Sequence, residues 1–240
     1  MKKWIAVLGA GPGLGASIAR KYGEQGYGVA LVARRLAPLE DLAAPLRRDG
    51  IETATFTADV RSAEQIASVF ARIKSDHGPI DVLYYGPNAP EAFVPASSLT
   101  VEAARSKVEL FLYGLIAAVG AVLPDMRAAR GGTILVGLGG SAAVGLPFAS
   151  GPGPALSAAR NYLHSLHGEL AHEGIYVGML TLSAIIRDSG WHAGIASGEI
   201  AMDLPPGFEI PEVDPGALAE MLWQLAATRE TPELIYPPRP

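Results

Sequence analysis

Few residues in this chain are arranged to do chemistry, and the clearest group is Gly9-Ala-Gly-Pro-Gly-Leu-Gly15. It follows the apolar run Ile5–Leu8 and precedes Ala16-Ser-Ile-Ala-Arg20, so it reads as a buried strand, a sharp turn and the opening of a helix. Glycines there let the backbone approach a pyrophosphate. They also leave amides at the helix N-terminus free to donate, with the helix dipole favouring negative charge. Two spacings run through the turn: Gly11-x-Gly13-x-x-Ala16 fits the general dinucleotide fingerprint, and Gly9-x-x-x-Gly13-x-Gly15 fits a narrower one. No Gly-Lys-Ser/Thr follows, so it is not a P-loop. A tight strand-to-helix corner needs glycine even without a ligand. Position favours the dinucleotide: a first strand, a helix at once, and a second strand on cue.

Histidine offers the next candidates. His164 and His167 lie three apart on one expected helix, a spacing that metals can use. No carboxylate, cysteine or third histidine joins them on that face, which favours solvated or core roles and no metal site. His172 falls in the last turn of the same helix, where a partly charged imidazole complements the dipole. His192, beside Trp191 in a long loop, is the one histidine placed to meet a substrate, and a surface role is its plainer reading. With no cysteine in the chain, disulfides, thiolate catalysis and thiolate metal sites are excluded.

The elements that would position these residues alternate strand and helix almost to the end. Tyr27–Ala33 reads as strand two, Pro38–Arg48 as a helix and Thr53–Thr57 as strand three. Ser62 is a candidate N-cap for a helix to about Asp76. Ile80–Tyr85 makes strand four, ended by Gly86-Pro87, and a long helix is expected over Val101–Met126. Thr133–Val136 and Ile175–Leu180 are strands five and six, separated by a helix over Pro154–Glu173. A helix from Pro215 to about Ala227 leads to a last short strand, Leu234–Tyr236. The irregular stretch 184–212 is too long for an ordinary connection and suits a substrate-covering loop.

At 240 residues, 49% of them hydrophobic, the chain reads as one α/β domain over 1–240 with a parallel sheet covered on both faces. The net charge of −5 and the lack of long basic runs argue against nucleic acid and against an anionic membrane as partners. Lys2-Lys3 before an apolar segment has the start of a signal-peptide pattern, but Gly and Pro cut that segment within a few residues. No transmembrane span is expected, and the cytoplasm is the default location.

On these motifs the chain resembles the short-chain dehydrogenase/reductase family over essentially its full length. Gly9, Gly13 and Gly15 match the TGxxxGxG turn, with Leu8 in place of threonine. Asp59-Val60 match the pair that contacts adenine, and Asp81-Val82-Leu83 the strand leading into NNAG, which here reads Tyr85-Gly86-Pro87-Asn88. Leu123-Pro124-Asp-Met126, Gly132-Thr-Ile-Leu and Ser165-Leu166-His-Gly-Glu169-Leu170 continue the match in order, as does Gly174-Ile175-Tyr-Val177. The resemblance implies a doubly wound parallel sheet (a Rossmann fold) of order 3-2-1-4-5-6-7. It implies cofactor contacts from Gly9, Gly11, Gly13, Leu14, Gly15, Arg34, Arg35, Asp59, Val60 and Asn88. It also implies a small-molecule substrate and a homodimer or homotetramer built on the long helix and the one after strand five. Leu110, Leu115, Val119, Leu163 and Leu166 are the expected contacts there, unless they face only the sheet.

The family's catalytic residues are missing. Its tyrosine position falls on Pro152, its lysine on Leu156, its serine on Gly139 and its asparagine on Phe111. Sliding Arg160 into the lysine place would need four residues deleted and would still leave Leu156 where the tyrosine belongs. Replacement acids must come from loops at the carboxyl ends of the strands, where Asn88, Ser141, Ser150 and Ser183 lie, with Tyr85 and Tyr113 less well placed. Each has a capping or packing role as its plainer reading. At the end of strand two, where NAD-preferring members carry an acid, this chain has Ala33 and then Arg34-Arg35. That removes repulsion and offers a guanidinium to a 2′-phosphate, favouring NADP(H) over NAD(H), although a solvated basic pair would look the same. Three functions remain open on sequence: an atypical NADP(H)-dependent oxidoreductase acting on a pre-activated substrate, an inactive dinucleotide-binding relic, and a non-redox lyase, isomerase or cyclase using the same cavity.

Overall fold

The strand-forming runs pair into one seven-stranded parallel sheet, seen in a computed structural model that describes residues 2–88, 94–145, 147, 150–200 and 210–238. In chain order its elements are β1 (Trp4–Leu8), α1 (Leu14–Glu24), β2 (Gly28–Ala33), α2 (Leu36–Arg48), β3 (Thr53–Thr57), α3 (Ala63–His77) and β4 (Val82–Tyr85). There follow α4 (Val101–Val108), a π turn (Glu109–Tyr113), α5 (Gly114–Ala129), β5 (Gly132–Gly139), α6 (Gly153–Leu170) and β6 (Ile175–Leu182). The last are β7 (Ile185–Ile186), α7 (Gly190–Ser197), β8 (Glu212–Val213), α8 (Pro215–Thr228) and β9 (Glu233–Tyr236).

The strand order is β3-β2-β1-β4-β5-β6-β9, the doubly wound order expected, with β9 as the seventh strand. Register is fixed by pairs such as Leu8 with Val32 and with Tyr85, and Val136 with Met179. Two apolar clusters cover the sheet. One joins alternate strand residues, such as Ala6, Leu83 and Ile134, to α3, α5 and α6. The other joins Ile5, Val7 and Tyr84 to α1, α2 and α8. Every strand of the centre is therefore apolar on both sides, which is why those runs carry no alternation.

Four expectations change. The long helix contains the π turn at Glu109–Tyr113 and runs on to Ala129. Together these 29 residues are long and apolar enough to cross a membrane by length and composition, against expectation, yet the helix lays Leu110, Leu115, Ala118, Val122 and Met126 into the core. The first helix starts at Leu14 rather than Ala16, with Gly13 as its cap. Within 184–212, β7 pairs with β8 and α7 is helical, while 201–209 lie outside the described residues. Nothing periodic marks α7, because Gly, Ala and Ser fill it. What starts it is local: the Ser189 hydroxyl accepts the His192 amide at 3.1 Å.

Candidate functional site

The glycine turn stands at the carboxyl end of β1, in the crevice where such sheets bind ligands. Gly9 has φ +81 and packs so closely on the Gly86-Pro87 backbone that a β-carbon would lie 2.5 Å from Pro87. Gly13 has φ +84 and caps α1 without any side chain, so no side chain occupies the amides of the first helical turn. Gly11, Leu14 and Gly15 complete the turn, and the Gly11 carbonyl takes the Ala16 amide at 3.0 Å. This is a cradle a β-carbon would fill, and it fits a pyrophosphate.

Further along the edge, Asp59 holds its loop rigid. Its carboxylate accepts the Arg61 amide at 3.0 Å, and its own amide donates to Gln65 Oε1 at 2.8 Å. Val60 is buried, with its carbonyl against Gly114 of α5. Arg34 and Arg35 follow β2, both exposed, with Arg35 as the N-cap of α2. Asn88 is exposed beyond β4.

The positions that match the family's catalytic residues come together. A β-carbon at Gly139, the last residue of β5, would lie 3.3 Å from Leu156 Cδ1 and 3.9 Å from Ser141 Oγ. Leu156 is 4% exposed, Pro152 caps α6, and the π turn carrying Phe111 packs against α6. The cluster thus gathers a glycine, a proline, a leucine and a phenylalanine, none of which can give or take a proton.

The proposed substitutes separate. Ser141 stands beside that cluster, its hydroxyl also 3.8 Å from a β-carbon placed on Gly153. Ser183 lies tight against Gly140 at the end of β6, and Ser150 is engaged through its amide with the Val94 carbonyl at 2.9 Å. Tyr113 is 58% exposed on the outer side of the helix, a surface residue and not the crevice residue expected. Tyr85 is buried, donating its phenol to the Leu110 carbonyl at 2.6 Å in the π turn. Burial pushes the Tyr85 phenol well above its ordinary range, so it keeps its proton.

Three of the histidines have partners within the fold. His164 Nε2 lies 3.2 Å from Glu233 and His167 Nδ1 lies 2.8 Å from the Val177 carbonyl. His192 belongs to α7 rather than to a loop, its Nε2 3.7 Å from Glu212. Arg160 is held by Glu233 through two contacts of 2.8 and 2.6 Å, which leaves it no part in the lysine position. Lys107, which belongs to no motif, is buried on α4 one turn before Phe111. Its signal was a lysine on the apolar stripe of that helix. Ile186 and Ser189, also outside any motif, sit against Gly13.

Residues 3–189 match the family described as short chain dehydrogenase. The chain is 30% identical to 2,3-dihydro-2,3-dihydroxybenzoate dehydrogenase of Bacillus subtilis over 189 residues, covering 77% of this chain and 70% of that protein. It is 27% identical to oxidoreductase asL5 of Sarocladium schorii over 186 residues, covering 78% and 73%. Among solved structures, a variant of actinorhodin polyketide ketoreductase with NADPH superposes with a TM-score of 0.85 at 25% identity, covering 98% of this chain and 95% of that one.

Proposed function

Because the chain belongs to the short-chain dehydrogenase family, we propose that it is an NADP(H)-dependent oxidoreductase that works without an enzymic tyrosine acid. The observation that carries this reading is the contrast between the two halves of the crevice. The pyrophosphate cradle at Gly9–Gly15 is intact, whereas Gly139, Pro152, Leu156 and Phe111 leave the reacting end without a proton donor or a cation at the usual places.

Bound NADPH would supply a hydride, and the chain's part is to hold the dinucleotide and align an acceptor above it. Gly9, Gly11, Gly13, Leu14 and Gly15 receive the pyrophosphate, Asp59 and Val60 the adenine, and Arg34 with Arg35 the 2′-phosphate. Support for the phosphorylated cofactor comes from the exposed Arg34 at the end of β2 and from the NADPH in the polyketide ketoreductase. An apolar wall of Leu156 and Phe111 suits an acceptor that needs no enzymic proton, such as an iminium or an extended quinoid system. Ser141 puts a hydroxyl beside that wall, able to donate a hydrogen bond but a poor proton source near neutral pH.

The buried Leu156, close enough to Gly139 that a β-carbon there would lie 3.3 Å from its Cδ1, also favours a second reading, a relic whose substrate space is plugged. A crystal structure with NADP⁺ decides between them. An open space above the nicotinamide between Leu156, Phe111 and Ser141 is the expected result. A nicotinamide covered by those side chains supports the relic.

A further inference from the structure

Two glycines at the floor of the crevice leave room for a phenol. A β-carbon on Gly86, just past β4, would overlap the Tyr84 hydroxyl, and one on Gly137 of β5 would lie 3.1 Å from it. Neither glycine has φ in the left-handed region, so space and not backbone conformation calls for them. Tyr84 pairs with Val7 of β1 and with Leu135 of β5, and Gly137 lies two residues on from Leu135 toward Gly139. The Tyr84 ring therefore runs up β4 to the carboxyl ends of the strands, between the glycine turn and the reacting end. Leu14, the first residue of α1, flanks it, with its Cδ2 3.8 Å from the same β-carbon position on Gly137. We infer that the Tyr84 hydroxyl is a hydrogen-bond donor to the carboxamide of the bound nicotinamide.

Tyr84 is 2% exposed, and among the described residues its hydroxyl makes no hydrogen bond. A buried phenol ordinarily has a partner, because an unsatisfied hydroxyl is costly. The Tyr22 hydroxyl is unpartnered too, but no open space reaches it. That of Tyr84 lies where the crevice opens, so a ligand can satisfy it. Burial pushes the Tyr84 phenol well above its ordinary range, so it stays neutral and acts as a donor rather than a base. The carboxamide is the one polar substituent of a nicotinamide ring, and its oxygen accepts. Gly86, Gly137 and Leu14 around the phenol offer no side-chain donor to compete. A ring held by its carboxamide cannot turn in place. Orientation of that kind is what a reacting end without acid or cation at the usual places still contributes.

This inference rests on the cofactor reading above, and the test separates the two. The full chain is titrated by calorimetry with NADPH and with 2′-phospho-ADP-ribose, the same cofactor without its nicotinamide. Wild type, Tyr84→Phe, Gly137→Ala and the double variant are compared. Tyr84→Phe is expected to weaken NADPH by roughly three- to tenfold and to leave 2′-phospho-ADP-ribose unchanged. Gly137→Ala, whose methyl crowds the hydroxyl out of place, is expected to weaken NADPH alone as well, and to add nothing to Tyr84→Phe in the double variant. Unchanged NADPH affinity in Tyr84→Phe, an equal loss for both ligands, or a full further loss in the double variant overturns the inference alone. A wild type that binds neither ligand overturns the cofactor reading, and this inference with it. The hydroxyl has no bond within the fold to lose, so an unchanged melting temperature is the check that Tyr84→Phe is folded.

Discussion

Pro152 has no side-chain proton, and Leu156 no charge to depress the pKa of a neighbouring phenol. Restoring both side chains is not enough on this account. In Pro152→Tyr with Leu156→Lys, Gly139 still leaves a carbonyl unpolarised and Phe111 leaves the new lysine unsupported, so ketone-dependent NADPH oxidation stays at the wild-type background. Robust ketone reduction by that variant would place the family's serine function on another residue, with Ser141 the first to examine. At the other end of the crevice, Arg34→Ala should narrow the preference for NADPH over NADH by about 1–3 kcal/mol, the scale of a charge-assisted hydrogen bond. Calorimetric or fluorescence titration reads it. An unchanged ratio would move the 2′-phosphate contact to Arg35 or elsewhere.

The elements are tied by a buried carboxylate that no motif announces. Glu233, on the edge strand β9 and with its side chain 8% exposed, receives Arg160 of α6 at 2.8 and 2.6 Å and the Thr181 hydroxyl of β6 at 2.6 Å. Burial pushes its carboxyl upward, but hydrogen bonds from Arg160 and Thr181 outweigh it and hold the net value below the ordinary range. A folded value below the unfolded one means that this stabilisation is fully present above the unfolded pKa. It is lost as pH falls through the lower folded value. Arg160→Ala, which strands the carboxylate, should cost about 2–4 kcal/mol in denaturant unfolding at neutral pH, less where water reaches the site. Glu233→Gln should flatten the acid limb of the stability profile, and an unaltered limb would assign the acid sensitivity to other carboxylates.

Legibility follows from what each element needs. The glycine turn and the apolar strands were readable because backbone approach and two-sided burial leave their mark on residue type. The π turn at Glu109–Tyr113, the clamp at Glu233 and the approach of Ser189 to Gly13 were not, because each is set by contacts between residues far apart in the chain. Lys107 is a different case: its place on the apolar stripe of the helix is visible in sequence, and its burial follows from that stripe meeting the core.

At the scale of the whole molecule, helix periodicity gave the stripes of the long helix but not which stripe meets the sheet. Leu110, Leu115, Val119, Leu163 and Leu166, expected at a subunit interface, are 0–7% exposed and belong to the core. Three large apolar residues are left outside on that helix, Val101 at its start and, further on, Tyr113 and Ile116, 58% and 43% exposed and three apart, so that these two share a face. A two-fold homo-oligomer built on that face is expected, a dimer or tetramer by light scattering at micromolar concentration, with Tyr113→Glu plus Ile116→Glu shifting it to monomer. A monomeric wild type would contradict this. The central claim, a preserved cofactor crevice whose acid–base machinery is gone, meets its most direct test in one kinetic comparison. NADPH oxidation by the wild-type chain is followed with a plain ketone and with a quinone as alternative acceptors. General acid–base catalysis is worth about 10²–10⁴ in rate, so the ketone should turn over slower than the quinone by at least that factor. Brisk reduction of the plain ketone, at a rate comparable to the quinone, would contradict the account.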